Sequence, residues 1–316
     1  MRRAGIALLL AVSLSACGGG GGAVEHVVLT LDWTPNPDHV GFYYARDAGL
    51  FRQAELDVAI RAPSDPAAPL KLVAAGGSDL AVSYEQEVFF AAAKKLPVVA
   101  VAAVVGQPLN SIMSIDPAIH GLADLKGRSI GITGVPADYA ALVSAGLAHD
   151  VRVVNVGYTL LPALLSHKVD AVLGMYRNVE GVELEQRGFH PTVIPLDRAG
   201  VPTYDELVLV ASAERLRSSP EYARMVGRFV AAFLEGTADA QRHPERSLRI
   251  LGKVTASDHA FLARSTPATL ALLGRGCLSE AAWRRFGAWM HDRGLLKSPV
   301  SAADVMTTRF LGAHCQ

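Results

Sequence analysis

The sequence predicts an α/β fold of two lobes with a ligand cleft between them. Short β-rich runs alternate with helical stretches from residue 24 onward, the pattern of largely parallel sheets flanked by helices. The alternation then restarts after about residue 110. A late apolar run, "DELVLVAS" (residues 205–212), can carry the chain back to the first sheet before a helical remainder. Lobe one is therefore expected over 24–110 and 212–316, and lobe two over 111–211. The crossings near 107–114 and 203–212 would form a hinge, and closure about it would bury a ligand held at the carboxyl ends of the strands.

In the first lobe "HVVLTL" (26–31) reads as a strand. Pro37 to Gly49 reads as a helix that Asn36 caps and Gly49 ends. "LDVAIRA" is a strand, Asp65 to Gly76 a helix, "DLAVS" a strand, Tyr84 to Lys95 a helix and "LPVVAVAAVV" a strand. In the second lobe "GRSIGITG" contains a strand ending in glycine, and Pro136 to His149 is a helix. "VRVVNV", "VDAVLGMY" and "HPTVIPL" are strands, separated by helices over 158–169 and 179–188. Helices are expected over Pro220–His243, near Ala256, over Glu280–Arg293 and over Ala302–Leu311.

The first residues stand apart. Arg2 and Arg3 precede an apolar run, Ala4 to Leu14, too short to span a bilayer, and "LSAC" closes it. This resembles the lipobox of bacterial lipoproteins. It implies that residues 1–16 are a signal peptide, that Cys17 carries lipid, and that 17–23 is a glycine-rich tether. The body would be held on the periplasmic side of a bacterial membrane, and its roughly 300 residues suffice for two cores.

The whole chain balances 30 basic against 30 acidic side chains, and 50% of its residues are hydrophobic. Removing Arg2 and Arg3 leaves a body near −2, which argues against nucleic acid or an anionic membrane as a partner. Cys277 and Cys315 remain; in an oxidising compartment they can pair or stand as two thiols. No CxxC, HExxH or Cys/His cluster signals a metal, and no serine triad order or phosphate loop signals catalysis.

"LDWTPNPDHVGFYYARDAGLFRQAELDV", "LVAAGGSDLAVSYEQEV", "LADLKGRSIGI", "VDAVLGMYRNVEGVELEQRG" and "GVPTYDELVLVA" together resemble one family. It is the family of periplasmic substrate-binding proteins of ABC importers for pyrimidine precursors of thiamine. The resemblance runs from about Val27 to Trp289. It implies the two-lobed type II periplasmic binding fold and no cofactor. It also implies capture of a hydroxymethyl- or formyl-aminopyrimidine by a monomer, and delivery to a permease with its ATPase. One departure is the compact loop after "GITG", which leaves lobe two's contribution to ligand choice open.

An aminopyrimidine is flat, and its edge carries ring nitrogens and an exocyclic amine. It calls for aromatic faces and for edge groups that accept from the amine and donate to the ring. Trp33, after the first strand, and Tyr84, after the third, are the candidate faces, with Tyr176 at the end of the strand before "RNVEG". Asn36 is either a cap or a contact, and either ring nitrogen of His39 could bond the pyrimidine. Arg177 and Asn178 could donate or orient. Glu180 is the first candidate to accept from the amine, and Glu183, one helical turn later, is the second. Tyr204, at the second crossing, is preferred to Asp205 and Glu206, which read equally well as surface turn residues. Of Glu85 and Glu87, one is expected in solvent.

Two other classes compete. Fungal synthases of the thiamine pyrimidine share the fold; by resemblance they carry a cofactor lysine where this chain has Ser83 and a reacting histidine where it has Glu87. Binders of nitrate, alkanesulfonate or riboflavin also resemble this family, but an anion site needs cations or helix N-termini at the cleft. Apart from Arg177, the candidates here carry none.

Overall fold

The computed structural model describes residues 24–65, 68–157, 159–312 and 315. The expected signal peptide (1–16), the expected lipidation site Cys17 and the expected tether (17–23) lie outside the described residues. Among these residues the strands are β1 (Glu25–Thr30), β2 (Leu56–Arg61), β3 (Leu80–Ser83), β4 (Val98–Val105), β5 (Asn110–Ser114), β6 (Ser129–Ile132), β7 (Arg152–Asn155), β8 (Ala171–Tyr176), β9 (Thr192–Pro195) and β10 (Leu207–Ser212). They form two five-stranded sheets, ordered β2-β1-β3-β10-β4 and β7-β6-β8-β5-β9.

In the first sheet β1 pairs in parallel with β2 and β3, while β10 runs antiparallel to β3 and β4. In the second, β6 is parallel to β7 and β8, while β5 runs antiparallel to β8 and β9. The reversed strand is in each case the one entering from the other sheet. A chain that leaves one sheet at its carboxyl edge and crosses directly must run back through the next. β4 and β10 are buried along their whole length, with side chains packed on both faces. The stretch 107–114, expected only as a crossing, is in its second half the strand β5.

The segment Pro37–Gly49 is not one helix. A 3-10 turn, Pro37–His39, leads into the helix Val40–Asp47, and Gly49 at φ 76° breaks it before a short turn at Leu50–Gln53. The helix Pro220–Arg242 lays an apolar face on Val40–Asp47, with Phe42 stacked on Phe233 and Phe51 on Phe229. The two helices touch at Gly41 and Gly236. A Cβ on Gly236 would lie 2.7 Å from the Gly41 carbonyl oxygen and 2.8 Å from the Ala45 backbone nitrogen.

A separate helix, Pro244–Val254, follows, with proline in its first turn. The helix expected over 302–311 covers only Ala302–Val305; Met306 then bridges to Ala100 of β4. Cys315 forms a disulfide with Cys277, Cα atoms 5.1 Å apart, fastening the tail. No helix among the described residues is long and apolar enough to cross a membrane.

Candidate functional site

A cavity of about 250 Å³ lies between the sheets where β1, β3, β6 and β8 end. Trp33, Tyr84 and Tyr176 supply its aromatic wall. Val135, Leu160 and Leu161 close it from the second sheet. Gln86, Asn110, Thr133, Asp138, Glu180 and Glu183 are its polar lining. Among the described residues no lysine or arginine lines it. A wider chamber of about 520 Å³ adjoins and shares Trp33, Glu180 and Glu183 as a common wall.

The strand ends are held by a buried network. Asp32, two residues past the end of β1, accepts from the Tyr84 hydroxyl (3.1 Å) on one oxygen and pairs through the other with His39 Nε2 (2.8 Å). His39 Nδ1 in turn accepts from the Asn36 backbone N–H (3.2 Å), so the proton between His39 and Asp32 sits on Nε2. Asn36 Oδ1 accepts from Asp38 N (2.8 Å), completing a capping box around the 3-10 turn. No motif in the sequence marks Asp32, although it is the carboxylate that orients Tyr84.

Glu180 accepts from the Tyr176 backbone N–H through Oε2 (2.7 Å). Burial pushes its carboxyl up to about 8, opposed in part by that bond. Glu183 sits at the mouth, bonded to Arg187 (2.5 Å). Asp138 accepts from the Thr133 hydroxyl (2.6 Å) and Gly134 N (2.8 Å), and burial raises its carboxyl as well. Thr133 and Gly134 close "GITG", and Asp138 stands in the first turn of the helix Pro136–Ser144 that follows, so lobe two lines the cavity through this strand-to-helix junction. Gln86 Oε1 and Asn110 Oδ1 are buried acceptors on the lining with no partner among the described residues.

Of the ten expected ligand residues, the structure brings Trp33, Tyr84, Tyr176, Glu180 and Glu183 to the cavity. The other five side chains lie outside its lining. His39 is 0% exposed and both its ring nitrogens are engaged, so it positions Asp32. Asn36 is a cap whose residue borders only the adjoining chamber. Asn178 is turned away: its Nδ2 donates to Asp38 Oδ1 (2.7 Å) and Thr269 Oγ1 (2.8 Å), and its backbone carbonyl accepts from Ser265. Arg177 donates to Gln107 Oε1 (3.1 Å) at the first crossing. Tyr204 donates to Glu206 (3.0 Å) and lies against Phe286, behind the cavity.

Asp205 and Glu206 are not surface residues. Glu206 Oε2 accepts from Leu109 N and Asn110 N (2.8 Å each), locking one crossing onto the other, and burial raises its carboxyl to about 7. Asp205 accepts from the Trp283 indole (2.7 Å), and its backbone N–H donates to Glu85 (2.6 Å). Glu85 is thereby buried, and Glu87 is half-buried with its carboxyl raised to about 7, so neither is free in solvent.

Two sheets joined by reversed strands around a cleft at their carboxyl edges define the class of two-lobed periplasmic binding folds. The ligand-binding component of an ABC-type import system from Staphylococcus aureus superimposes with a TM-score of 0.71 at 14% identity, over 90% of this chain and 97% of that one. Residues 36–247 match the NMT1/THI5-like family. A Haemophilus influenzae protein named for thiamine biosynthesis is 37% identical over 231 residues, 71% of this chain and 72% of its own. A formylaminopyrimidine-binding protein of Halalkalibacterium halodurans is 32% identical over 305 residues, 90% and 91% of the two chains. A Saccharomyces cerevisiae synthase of 4-amino-5-hydroxymethyl-2-methylpyrimidine phosphate is 25% identical over 170 residues, about half of each chain. The chain belongs to the NMT1/THI5-like family.

Proposed function

We propose that this chain is the lipid-anchored solute-binding component of an ABC importer. It captures a thiamine pyrimidine precursor, hydroxymethyl- or formylaminomethyl-aminopyrimidine, in the interlobe cavity. It delivers that ligand to a permease and its ATPase on the periplasmic side of a bacterial membrane. The observation that carries this reading is the lining. Three aromatic rings face a small cavity whose buried polar groups are carboxyls and amides, without a cation. Trp33 and Tyr84 offer faces for a flat heterocycle. The unpartnered Gln86 and Asn110 oxygens and the Glu180 carboxyl offer acceptors for an exocyclic amine, and buried acceptors left unpaired penalise ligands that lack donors.

The same lining disfavours nitrate and sulfonates, whose charge calls for cationic partners. Binding without catalysis is supported by Ser83 and Glu87, which stand where the resemblance gives the synthases a lysine and a histidine. The similarity to a protein named for binding formylaminopyrimidine, along nearly the whole chain, supports the ligand class. Calorimetric titration of the unlipidated chain (Cys17→Ser) tests the proposal. One-to-one binding of the hydroxymethyl or formylaminomethyl pyrimidine is expected. Binding of nitrate, an alkanesulfonate or riboflavin with neither pyrimidine bound would overturn it.

A further inference from the structure

We propose that the edge of the first sheet opposite the cleft is a docking surface for anionic phospholipid, which seats headgroups in a basic groove. β1, β2, β3 and β4 all enter the sheet at this edge and β10 leaves there. The groove, about 750 Å³, runs between the end of the helix Glu85–Ala93, the start of β4, the helix Ala213–Ser218 and the segment 295–304. Leu96, Leu295 and Val300 give it apolar walls. Lys94, Lys95, Arg217 and Lys297 stand exposed around them, and Asp304 is the one acid of the lining.

Arg215, Arg224 and Arg228, on neighbouring helices, are tied into ion pairs. Among the described residues the four groove cations form none. Apolar walls under a rim of four cations and one acid match a phospholipid, which presents phosphate above glycerol and acyl carbon. An acidic protein face would match the rim but leave the walls uncovered. The near-neutral composition conceals this face because its charges come from three separate segments of the chain.

The position of the groove fits the same partner. Val24, the first described residue before β1, lies at this edge of the sheet. β1 and β4 are three strand spacings apart, so the groove lies ~14 Å from the point where the tether would leave the body. A flexible glycine-rich segment of the length of residues 17–23 has a root-mean-square span of about 14 Å. A body so tethered spends its time close to the range, about 8 Å at physiological salt, over which surface charges are felt. With this edge on the membrane, the opposite edge, with Trp33 and Tyr84, is open to solvent for loading, and the body leaves the lipid to present its cleft to a permease.

This inference goes beyond the ligand reading. Only its orientation rests on the lipid tether, and the vesicle test below needs no lipid on the protein. The unlipidated Cys17→Ser chain is sedimented with vesicles of phosphatidylcholine alone and of phosphatidylcholine with phosphatidylglycerol. Binding is expected on the anionic vesicles only, weakening as salt rises. Each basic side chain near such a surface contributes about fivefold, so reversing Lys94, Lys95, Arg217 and Lys297 to glutamate should weaken binding at least about a hundredfold. Reversing Lys126, Arg152 and Lys168, on and beside the other sheet, should leave it in place, and pyrimidine titration should be unchanged in both variants. Equal binding to both vesicles, or binding that survives the groove reversal, overturns the proposal. Charge-dependent retention only on neutral vesicles that hold the importer would assign the surface to an acidic protein instead.

Discussion

Replacing Trp33 by alanine removes one face of the cavity while leaving the Asp32–His39–Asn36 network intact, because none of those hydrogen bonds passes through the indole. Stacking of a base-like ring on an aromatic side chain is worth about 1–3 kcal/mol, so pyrimidine affinity should fall between about fivefold and 150-fold in calorimetry. Unchanged affinity would exclude Trp33 as a stacking face. His39 and Asn178 show why other residues could not be assigned by reading alone. A histidine in the first turn after a strand looks the same in sequence whether its nitrogens face a ligand or are both spent inside the turn. Asn178 stands two residues before Glu180, yet its amide is spent on Asp38, 140 positions away. Trp33 and Tyr84 are legible because an aromatic within three residues of the end of a parallel strand has little else to face than the cleft.

The elements that carry the site are braced from behind. The helix Val40–Asp47, which follows the Trp33 loop, rests on the helix Pro220–Arg242 where Gly41 and Gly236 let the two backbones meet. Alanine at 236 gains about 1 kcal/mol of helix propensity but drives a Cβ against backbone atoms of the partner helix that cannot rotate away. Overpacking of about 1–3 kcal/mol should dominate, so Gly236→Ala is expected to lower the thermal midpoint. A midpoint equal to or above that of the parent would show that the helices separate freely. Two further braces join the sheets: Glu206 on the amides of Leu109 and Asn110, and Asn178 on Asp38 and Thr269. Helix periodicity made the long helices readable. β5 was not, because five residues between a crossing and a turn carry too little pattern to be told from either.

Across the whole molecule, buried carboxyls outnumber buried cations around the cleft, and this couples stability to pH. Burial raises Asp38 to about 6, Glu206 to about 7 and Glu180 to about 8, whereas in the unfolded chain such groups titrate near 4. Between about pH 4 and 8 the folded protein therefore binds more protons than the unfolded one, and stability falls as pH rises through that window. Asp170, held below the usual range by the Ser129 hydroxyl and amide, acts only at lower pH, where its contribution is lost on acidification. Urea unfolding of the ligand-free protein should give a higher midpoint at pH 5 than at pH 8.5, with a smaller difference in Glu180→Gln. A midpoint that climbs with pH would contradict the burial of these groups. The sequence by itself determined the α/β class, the restart of the pattern after residue 110 and the aromatic strand ends, because period and turn chemistry are local and each residue reports them directly. Only the tertiary structure decided which polar side chains at those ends face the cavity, that Cys277 meets Cys315, and that four cations from three distant segments share one face. Those outcomes depend on which distant segments packing brings within hydrogen-bonding or Coulombic reach, and no local pattern encodes that.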